Sequence, residues 1–413
     1  MDRHASQMRR LNWMLPCRRI CLVFFLVAIA TTALADSGEV FEFGFDLDTA
    51  ERDTKAIVAA DLDCDGDMDI VEGNTNYSVN KVFLNDGKGS FPEIIDFGVS
   101  TTTDTLVVAD LDNDGDEDLV SGNAYGRNQY FLNRGCTASG WLGLATGQDI
   151  GFADNQTLVM AAADVNSDGF PDLVVGNASQ LNLLYLNKGL NGQTWLGFHP
   201  AVSISEAKDY TTSLVVGDLD GDGDQDVIIG NLFGQNPIFL NSAGTLEEAG
   251  AVGGDGKGTY DLALADIDND GDLDLIEAND NASNRLYLNH GVGNTGWGGF
   301  QAGIDFGAQD GQTAVVQVGD VDRDGDLDIV TGNQGEPNRL FLNDGHGGFP
   351  SGTLIGSEQQ KTWGLALADF NLDGYLDLAV GNSRYTTQVY FNRGALRSAL
   401  PVILQITLPT LLD

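Results

Sequence analysis

Apolar positions along this chain fall in short runs rich in β-branched and aromatic residues, and Gly, Asn and Asp cut the runs at regular intervals. Thr105–Ala109 (TLVVA) and Asp118–Ser121 (DLVS) are typical. Such runs, bounded by turn formers, read as strands joined by tight turns. Beyond residue 35 no helical periodicity is sustained for more than about ten residues. The same order returns seven times: a strand, an acidic loop, a second strand ending in Gly-Asn, a third strand ending in Asn, and a fourth after a loop of variable length. The second strand closes at Gly73-Asn74, Gly122-Asn123, Gly176-Asn177, Gly230-Asn231, Gly332-Asn333 and Gly381-Asn382, with Ala278-Asn279 in the fifth copy. The third closes at Asn85, Asn133, Asn187, Asn241, Asn289, Asn343 and Asn392. Acidic loops starting at 61, 110, 164, 218, 266, 320 and 369 give a period near 50, which points to a solenoid or a ring of blades. Four strands per unit and seven units predict an all-β, seven-bladed β-propeller of four-stranded blades.

The ends of the repeat region predict closure. Residues Gly38–Asp46 (GEVFEFGFD) align with the fourth-strand segment Gly89–Phe97 (GSFPEIIDF), whereas the last repeat stops after its third strand, at Asn392-Arg393-Gly394. The N-terminal segment is therefore expected to complete the last blade, because an open stack would leave unpaired strand edges. Residues 36–394 form the propeller on this reading. The apolar tail 395–413 lies outside the repeat, and its role is left open.

The acidic loops read DLDCDGDMD, DLDNDGDED, DVNSDGFPD, DLDGDGDQD, DIDNDGDLD, DVDRDGDLD and DFNLDGYLD. Position 1 is Asp61, Asp110, Asp164, Asp218, Asp266, Asp320 or Asp369. Position 3 is Asp63, Asp112, Asn166, Asp220, Asp268, Asp322 or Asn371. Position 5 is Asp65, Asp114, Asp168, Asp222, Asp270, Asp324 or Asp373. Position 9 is Asp69, Asp118, Asp172, Asp226, Asp274, Asp328 or Asp377. Glycine at position 6 permits a tight turn, and oxygens at 1, 3, 5 and 9 match the need of a hard cation such as Ca²⁺ for six to eight oxygen ligands. Four carboxylates held about 4–5 Å apart repel by roughly 3–4 kcal/mol per pair at an effective dielectric near 20, a repulsion that a divalent ion reverses. Up to seven Ca²⁺ are expected. The loops with Asn166 and Asn371 lack one charge and are expected to bind more weakly.

Residues 1–35 read as a secretory signal peptide. Arg9, Arg10, Arg18 and Arg19 precede the apolar run Ile20–Ile29, and Ala33-Leu34-Ala35 is a small-x-small cleavage site. Its removal leaves 16 basic and 60 acidic side chains, a formal charge of −44, with 31 aspartates in the seven loops. Such a chain is a poor partner for nucleic acid or an anionic membrane, and no membrane insertion is expected after cleavage. Secretion, the periplasm or the cell surface is the expected location. Cys17 and Cys21 lie in the leader; Cys64 and Cys136 lie in different repeats, and no framework role is expected of them. Asn76, Asn155, Asn177 and Asn281 open N-x-[ST] triplets.

The acidic nonapeptide, the Gly-Asn that follows it and the Phe-Gly pairs Phe97-Gly98 and Phe306-Gly307 resemble the FG-GAP/VCBS repeat family over residues 38–394. That family resembles the calcium-binding seven-bladed propeller of integrin α subunits. The resemblance implies Ca²⁺ in the hairpin loop between the first two strands of each blade. It also implies that position 7 supplies a main-chain carbonyl: Asp67, Asp116, Phe170, Asp224, Asp272, Asp326 or Tyr375. A side chain without oxygen, such as Phe170, is tolerable on that basis.

The starts of the first strands and the Gly-Asn turns are expected on the face opposite the acidic loops. Tyr77, Tyr125, Arg127, Tyr210, Phe233, Tyr260, Trp363, Arg384 and Tyr385 gather there, with Asp104, Asp261 and several amides. Planar rings beside hydrogen-bonding groups suit an extracellular glycan or an exposed protein segment. Trp141-Leu142-Gly143, Trp195-Leu196-Gly197 and Trp297-Gly298-Gly299 recur at one place in the repeat and are expected to pack between neighbouring blades. His199, His290 and His346 lie in variable loops of different repeats, and no nucleophile motif accompanies them, so catalysis is not expected. The expectation is a ligand-binding or adhesion module. The alternatives are a calcium-dependent polysaccharide lyase using Tyr125 with Arg127 or Tyr385 with Arg384, and a structural subunit of a cell-surface complex.

Overall fold

Each acidic loop turns the chain back on itself, so the strands on either side pair antiparallel. In the third repeat, Ala163 pairs with Asp172 beside the loop and Thr157 pairs with Asn177 at the far end. A computed structural model describes residues 40–99, 102–151, 155–253, 257–293, 296–308, 311–349, 351–357 and 359–394. Residues 1–35, expected to be a signal peptide and holding Cys17 and Cys21, and the tail 395–413 lie outside them.

Five repeats form separate four-stranded sheets, each in simple sequential order, and all are β with no membrane-length helix among the described residues. The fourth repeat is representative, with strands Thr211–Gly217, Asp226–Asn231, Asn236–Ser242 and Thr245–Val252. The fold is thus a propeller of four-stranded blades. Five blades stand as separate sheets, not seven. The strands of the first and last repeats share one eight-stranded sheet. The cause is local: the second strand of the last repeat, Asp377–Tyr385, runs past its Gly-Asn, and Tyr385 and Ser383 pair with Arg52 and Asp53.

Within that sheet Phe41–Asp46 pairs antiparallel with Gln388–Asn392, from Phe41 opposite Asn392 to Asp46 opposite Gln388. The N-terminal strand therefore supplies the outer strand that the last repeat lacks. The first strands pack against one another in sequence, and Arg52–Ala60 touches both Thr102–Ala109 and Thr362–Ala368.

The core lies between repeats. Val107, Leu111 and Val120 of the second pack on Met160, Leu173, Val175 and Tyr185 of the third. Ile57, Ile70 and Phe83 of the first pack on Phe370, Ala379 and Val389 of the last. The second strand, sandwiched between neighbours, is buried throughout, as in Asp172–Asn177. The glycine of Gly-Asn is explained by this contact. A Cβ on Gly122 would lie 2.3 Å from Thr105 Cγ2 and 2.8 Å from Met160 Sδ.

The Trp-containing insertions behave as expected. Trp195 stacks edge-on with Tyr130 of the preceding repeat at 4.9 Å, and Trp297 packs in the cluster that holds Ile238. Cys64 and Cys136 do not behave as expected: they form a disulfide with a Cα–Cα distance of 6.3 Å. Packing of the first repeat on the second brings together two cysteines separated by 72 positions. Asn177 is wholly buried and its side chain is hydrogen-bonded, so that triplet is not an accessible glycan acceptor.

Candidate functional site

Two clusters of polar side chains are built by the repeat, one at each end of the first hairpin. At the loop end the position-6 glycine has φ from 90° to 98°, with open space where a Cβ would sit in six of the seven loops, so backbone conformation explains that glycine. The tight turn lets the position-1 carboxylate accept from the main chain. Asp266 Oδ1 and Oδ2 take the N–H groups of Asp270 and Gly271, both at 3.0 Å. Position 5 accepts from the position-7 N–H, as in Asp272 to Asp270 Oδ1 at 3.0 Å.

Position 9 is buried in all seven loops and has a structural duty beyond the ligation expected of it. Asp274 Oδ2 accepts from Ile267 N–H at 2.9 Å and Oδ1 from Asn289 N–H at 2.8 Å. Burial, partly offset by these two donors, pushes the position-9 carboxyls up to about 6 in Asp172, Asp226, Asp274 and Asp328. It pushes them to about 7 in Asp69, Asp118 and Asp377. The third-strand Asn then ties neighbouring repeats. Asn289 Nδ2 donates to Leu219 O of the preceding loop at 3.0 Å, and Asn85 reaches Phe370 O of the last repeat at 2.8 Å.

Carboxylate oxygens converge within 4.8 Å of one another in five loops: Asp61/Asp63/Asp65, Asp110/Asp112/Asp118, Asp218/Asp220/Asp222, Asp266/Asp268/Asp274 and Asp320/Asp322/Asp328. Two arrangements occur, positions 1, 3 and 5 or positions 1, 3 and 9, so the four expected side chains do not converge identically. Buried Oδ1 atoms of Asp61, Asp63, Asp67, Asp112, Asp268 and Asp320 have no hydrogen-bond partner. Buried anionic oxygens without donors are costly unless a cation faces them, so these loops fit a hard divalent ion. The Asn-bearing loops differ: Asn166 Nδ2 donates to Asp168 Oδ2 at 2.9 Å, using a carboxylate oxygen that is left available elsewhere. Among the described residues neither the Asp164 nor the Asp369 loop forms such a cluster. At position 7, Asp224 Oδ2 accepts from Ala243 N–H at 2.8 Å, while Tyr375 lies under the Arg323 guanidinium at 5.0 Å.

At the other end a Thr hydroxyl bonds the Gly-Asn side chain, as in Thr157 to Asn177 at 2.9 Å and Thr362 to Asn382 at 3.0 Å. A second Asn joins it across repeats: Asn128 Nδ2 donates to Thr157 Oγ1 at 3.0 Å and Asn182 to Thr211 at 2.9 Å. In the fifth repeat the equivalent Thr259 donates instead to Glu277 Oε1 at 2.9 Å. The residue after the Thr at this position lines, in every repeat, a central cavity of about 460 Å³. In repeat order these are Lys55, Asp104, Leu158, Thr212, Tyr260, Ala314 and Trp363, and Tyr210, Asp261 and Gln317 add to the wall.

Of the expected ligand-face residues, Tyr210, Tyr260 and Trp363 meet in this cavity, and Phe233 joins it through an edge contact with Tyr210 at 6.2 Å. Tyr260 and Trp363 make an edge contact at 6.0 Å. Tyr77, Tyr125, Arg127, Arg384 and Tyr385 are exposed but do not line it. Arg127 instead pairs with Asp149 at 2.9 Å. Lys55 was not among the expected residues, yet its Nζ lies 3.5 Å from the Trp363 ring centroid. Burial lowers the Lys55 pKa, opposed by Asp104; burial raises Asp104 to about 6, opposed by Lys55. Asp261 is raised to about 6 by burial despite bonds from Val316 N–H, the Ser213 hydroxyl and its neighbour Leu262 N–H. His199, His290 and His346 are exposed, and none lines the cavity.

Solved structures of low sequence identity share this fold. The lectin BP39L from Burkholderia pseudomallei superposes with a TM-score of 0.66 at 11% identity, covering 84% of this chain and 98% of the lectin. A BBS1N structure, solved in complex with ARL6DN, gives a TM-score of 0.57 at 14% identity over 86% of this chain and 98% of its own. At such identities the likeness is one of fold. No curated protein sequence matches the chain. FG-GAP-like repeats are recognised at residues 61–121, 110–175, 164–229, 218–277, 266–331 and 320–380, and the chain belongs to the FG-GAP-like repeat family.

Proposed function

We propose that this protein is an exported, calcium-braced propeller that binds an extracellular glycan or protein through the face bearing the central cavity. Counting the eight-stranded sheet as two joined blades gives a ring of seven. The supporting observation is the cavity itself, to which all seven repeats contribute one equivalent side chain and three rings, Tyr210, Tyr260 and Trp363, supply flat apolar surface. Aromatic faces beside a few polar groups are the usual composition of a recognition pocket. A lectin and a propeller bound to a protein partner among the structural neighbours are compatible with either ligand class.

In this reading Ca²⁺ occupies the acidic loops through positions 1, 3, 5 and 9 and the position-7 carbonyl, and supplies positive charge that holds the carboxylates together. The chain's own residues transmit that order. Position 9 binds the loop backbone and the third-strand Asn, and the Asn binds the preceding repeat. Recognition is passive, without catalysis, and the protein acts outside the cytoplasm after removal of residues 1–35.

The test is retention of the wild-type chain and of Trp363→Ala and Tyr260→Ala on a panel of glycans and extracellular proteins with calcium. Retention of wild type on one class, lost in the variants with an unchanged melt, supports the proposal. Equal retention of the variants removes the cavity from the account. New unsaturated sugar ends in an acidic polysaccharide digest would replace it with the lyase.

A further inference from the structure

The residue at position 4 of each acidic loop is where that loop touches the next repeat. Its six non-glycine examples share a left-handed backbone, with φ between 54° and 63°. Asn113 Nδ2 donates to Gly169 O at 2.8 Å, and Ser167 Oγ to Asp224 Oδ1 at 3.3 Å. Asn269 Nδ2 donates to Asp326 Oδ1 at 2.8 Å. Each acceptor is position 6 or 7 of the following loop. In the first loop this residue is Cys64, and the tie to the next repeat is covalent, through Cys136.

Cys136 opens a small hairpin, Cys136–Thr137 with Gly140–Trp141, fixed by Trp141 Nε1 on Asn133 Oδ1 at 2.7 Å. Asn133 Nδ2 in turn donates to Leu62 O at 2.9 Å. The second repeat thus grips the first loop at Leu62 and at Cys64, on both sides of Asp63. That loop also has the most unpartnered buried carboxylate oxygens among the described residues: Oδ1 of Asp61, Asp63 and Asp67, with Asp67 only 4% exposed. Both cysteines are exposed.

We propose that the Cys64–Cys136 disulfide sets the cation affinity of the first loop, making it a redox-gated ion site distinct from the other loops. The inference rests on the cation reading of that loop. With the disulfide intact, Asp61, Asp63 and Asp65 are held near one another before an ion arrives. A dithiol reductant attacks one cysteine sulfur to form a mixed disulfide. Its second sulfur then closes the reductant's own ring, so the reductant is oxidised and both cysteines leave as thiols. Position 4 is then untethered, and an incoming ion must order it. Ordering about one backbone residue corresponds to roughly tenfold weaker binding. Linkage requires the reciprocal effect: calcium shifts the thiol–disulfide equilibrium toward the disulfide by the same factor.

The experiment uses the full chain with calcium alone as probe. Calorimetric titrations compare the oxidised protein, the dithiothreitol-reduced protein and the Cys64→Ser/Cys136→Ser variant. In parallel, the oxidised fraction in glutathione buffers is measured with and without calcium, in wild type and in Asp61→Ala/Asp63→Ala, which keeps both cysteines and removes two of the converging carboxylates. The expected result is one site weakened about tenfold on reduction, with the others unchanged, and a matching calcium-dependent shift of the redox equilibrium that Asp61→Ala/Asp63→Ala abolishes. Identical calcium binding by oxidised and reduced protein overturns the proposal, as does a calcium effect on the redox equilibrium that survives in Asp61→Ala/Asp63→Ala. Absence of calcium uptake by every form overturns the cation reading itself, which separates the two failures.

Discussion

Replacing Asn289 by Ala tests whether the third-strand Asn ties the repeats together. Its side chain makes four hydrogen bonds: Nδ2 to Leu219 O at 3.0 Å and Leu273 O at 3.1 Å, and Oδ1 from Gly291 N–H at 3.1 Å and Trp297 Nε1 at 2.8 Å. Asn289 is 2% exposed, so its partners lose these bonds without ready replacement by water. At about 1 kcal/mol each, the expected loss is about 3–4 kcal/mol. Urea denaturation in calcium should show a lower midpoint at an unchanged slope. Asn289→Asp keeps the acceptor role and loses both donors to Leu219 and Leu273, so it should also destabilise. The exposed loop residue Glu206, changed to Ala, should cost less than about 0.5 kcal/mol. A loss below about 1 kcal/mol for Asn289→Ala would refute the role assigned to the tie.

Three further outcomes are expected. Burial raises the Asp261 carboxyl from 3.8 to about 6, so the folded state keeps a proton that the unfolded chain has lost. Its contribution therefore falls as pH rises from 3.8 to about 6, by about 3 kcal/mol in all, and melts of Asp261→Asn should show a pH slope shallower than wild type by that contribution, the position-9 carboxyls supplying the rest. Gly122→Ala, whose Cβ would sit 2.3 Å from Thr105 Cγ2, should cost about 1–3 kcal/mol by overpacking and lower the melting temperature. Removing the disulfide, which spans 72 positions, should cost about 4 kcal/mol on chain-entropy grounds, read from the denaturation midpoint of Cys64→Ser/Cys136→Ser.

Much of this architecture was legible because the repeat announces it. The acidic nonapeptide marked the hairpin turn, Gly-Asn marked its far end, and the surplus strand Phe41–Asp46 matched the deficit at Asn392. What the pattern did not disclose was contact between repeats. Gly122 reads as turn material, but its real constraint is the Thr105 side chain of the paired strand together with Met160 and Thr157 of the next repeat. No framework role was expected of Cys64 and Cys136 because nothing local to either places them together. Lys55 was missed for a different reason. It follows Thr54 as Trp363 follows Thr362, so aligning the repeats on that Thr identifies the cavity wall, whereas choosing aromatic residues does not. The same choice drew in Tyr125 and Arg127, which lie further along the turns. The joined eight-stranded sheet depends on pairing of Tyr385 and Ser383 with Arg52 and Asp53, a long-range contact with no signature in either segment.

Cation occupancy of the acidic loops is the claim from which the rigid binding face and the redox-gated site both follow. The direct measurement is equilibrium dialysis of chelator-stripped protein against calcium, with bound metal counted per chain by atomic spectroscopy. The five loops with converging carboxylates should fill first, and uptake should fall by one ion in Asp266→Ala/Asp268→Ala, which removes two oxygen ligands from one loop. A protein that takes up no calcium, or whose uptake is unchanged in Asp266→Ala/Asp268→Ala, would contradict the cation assignment.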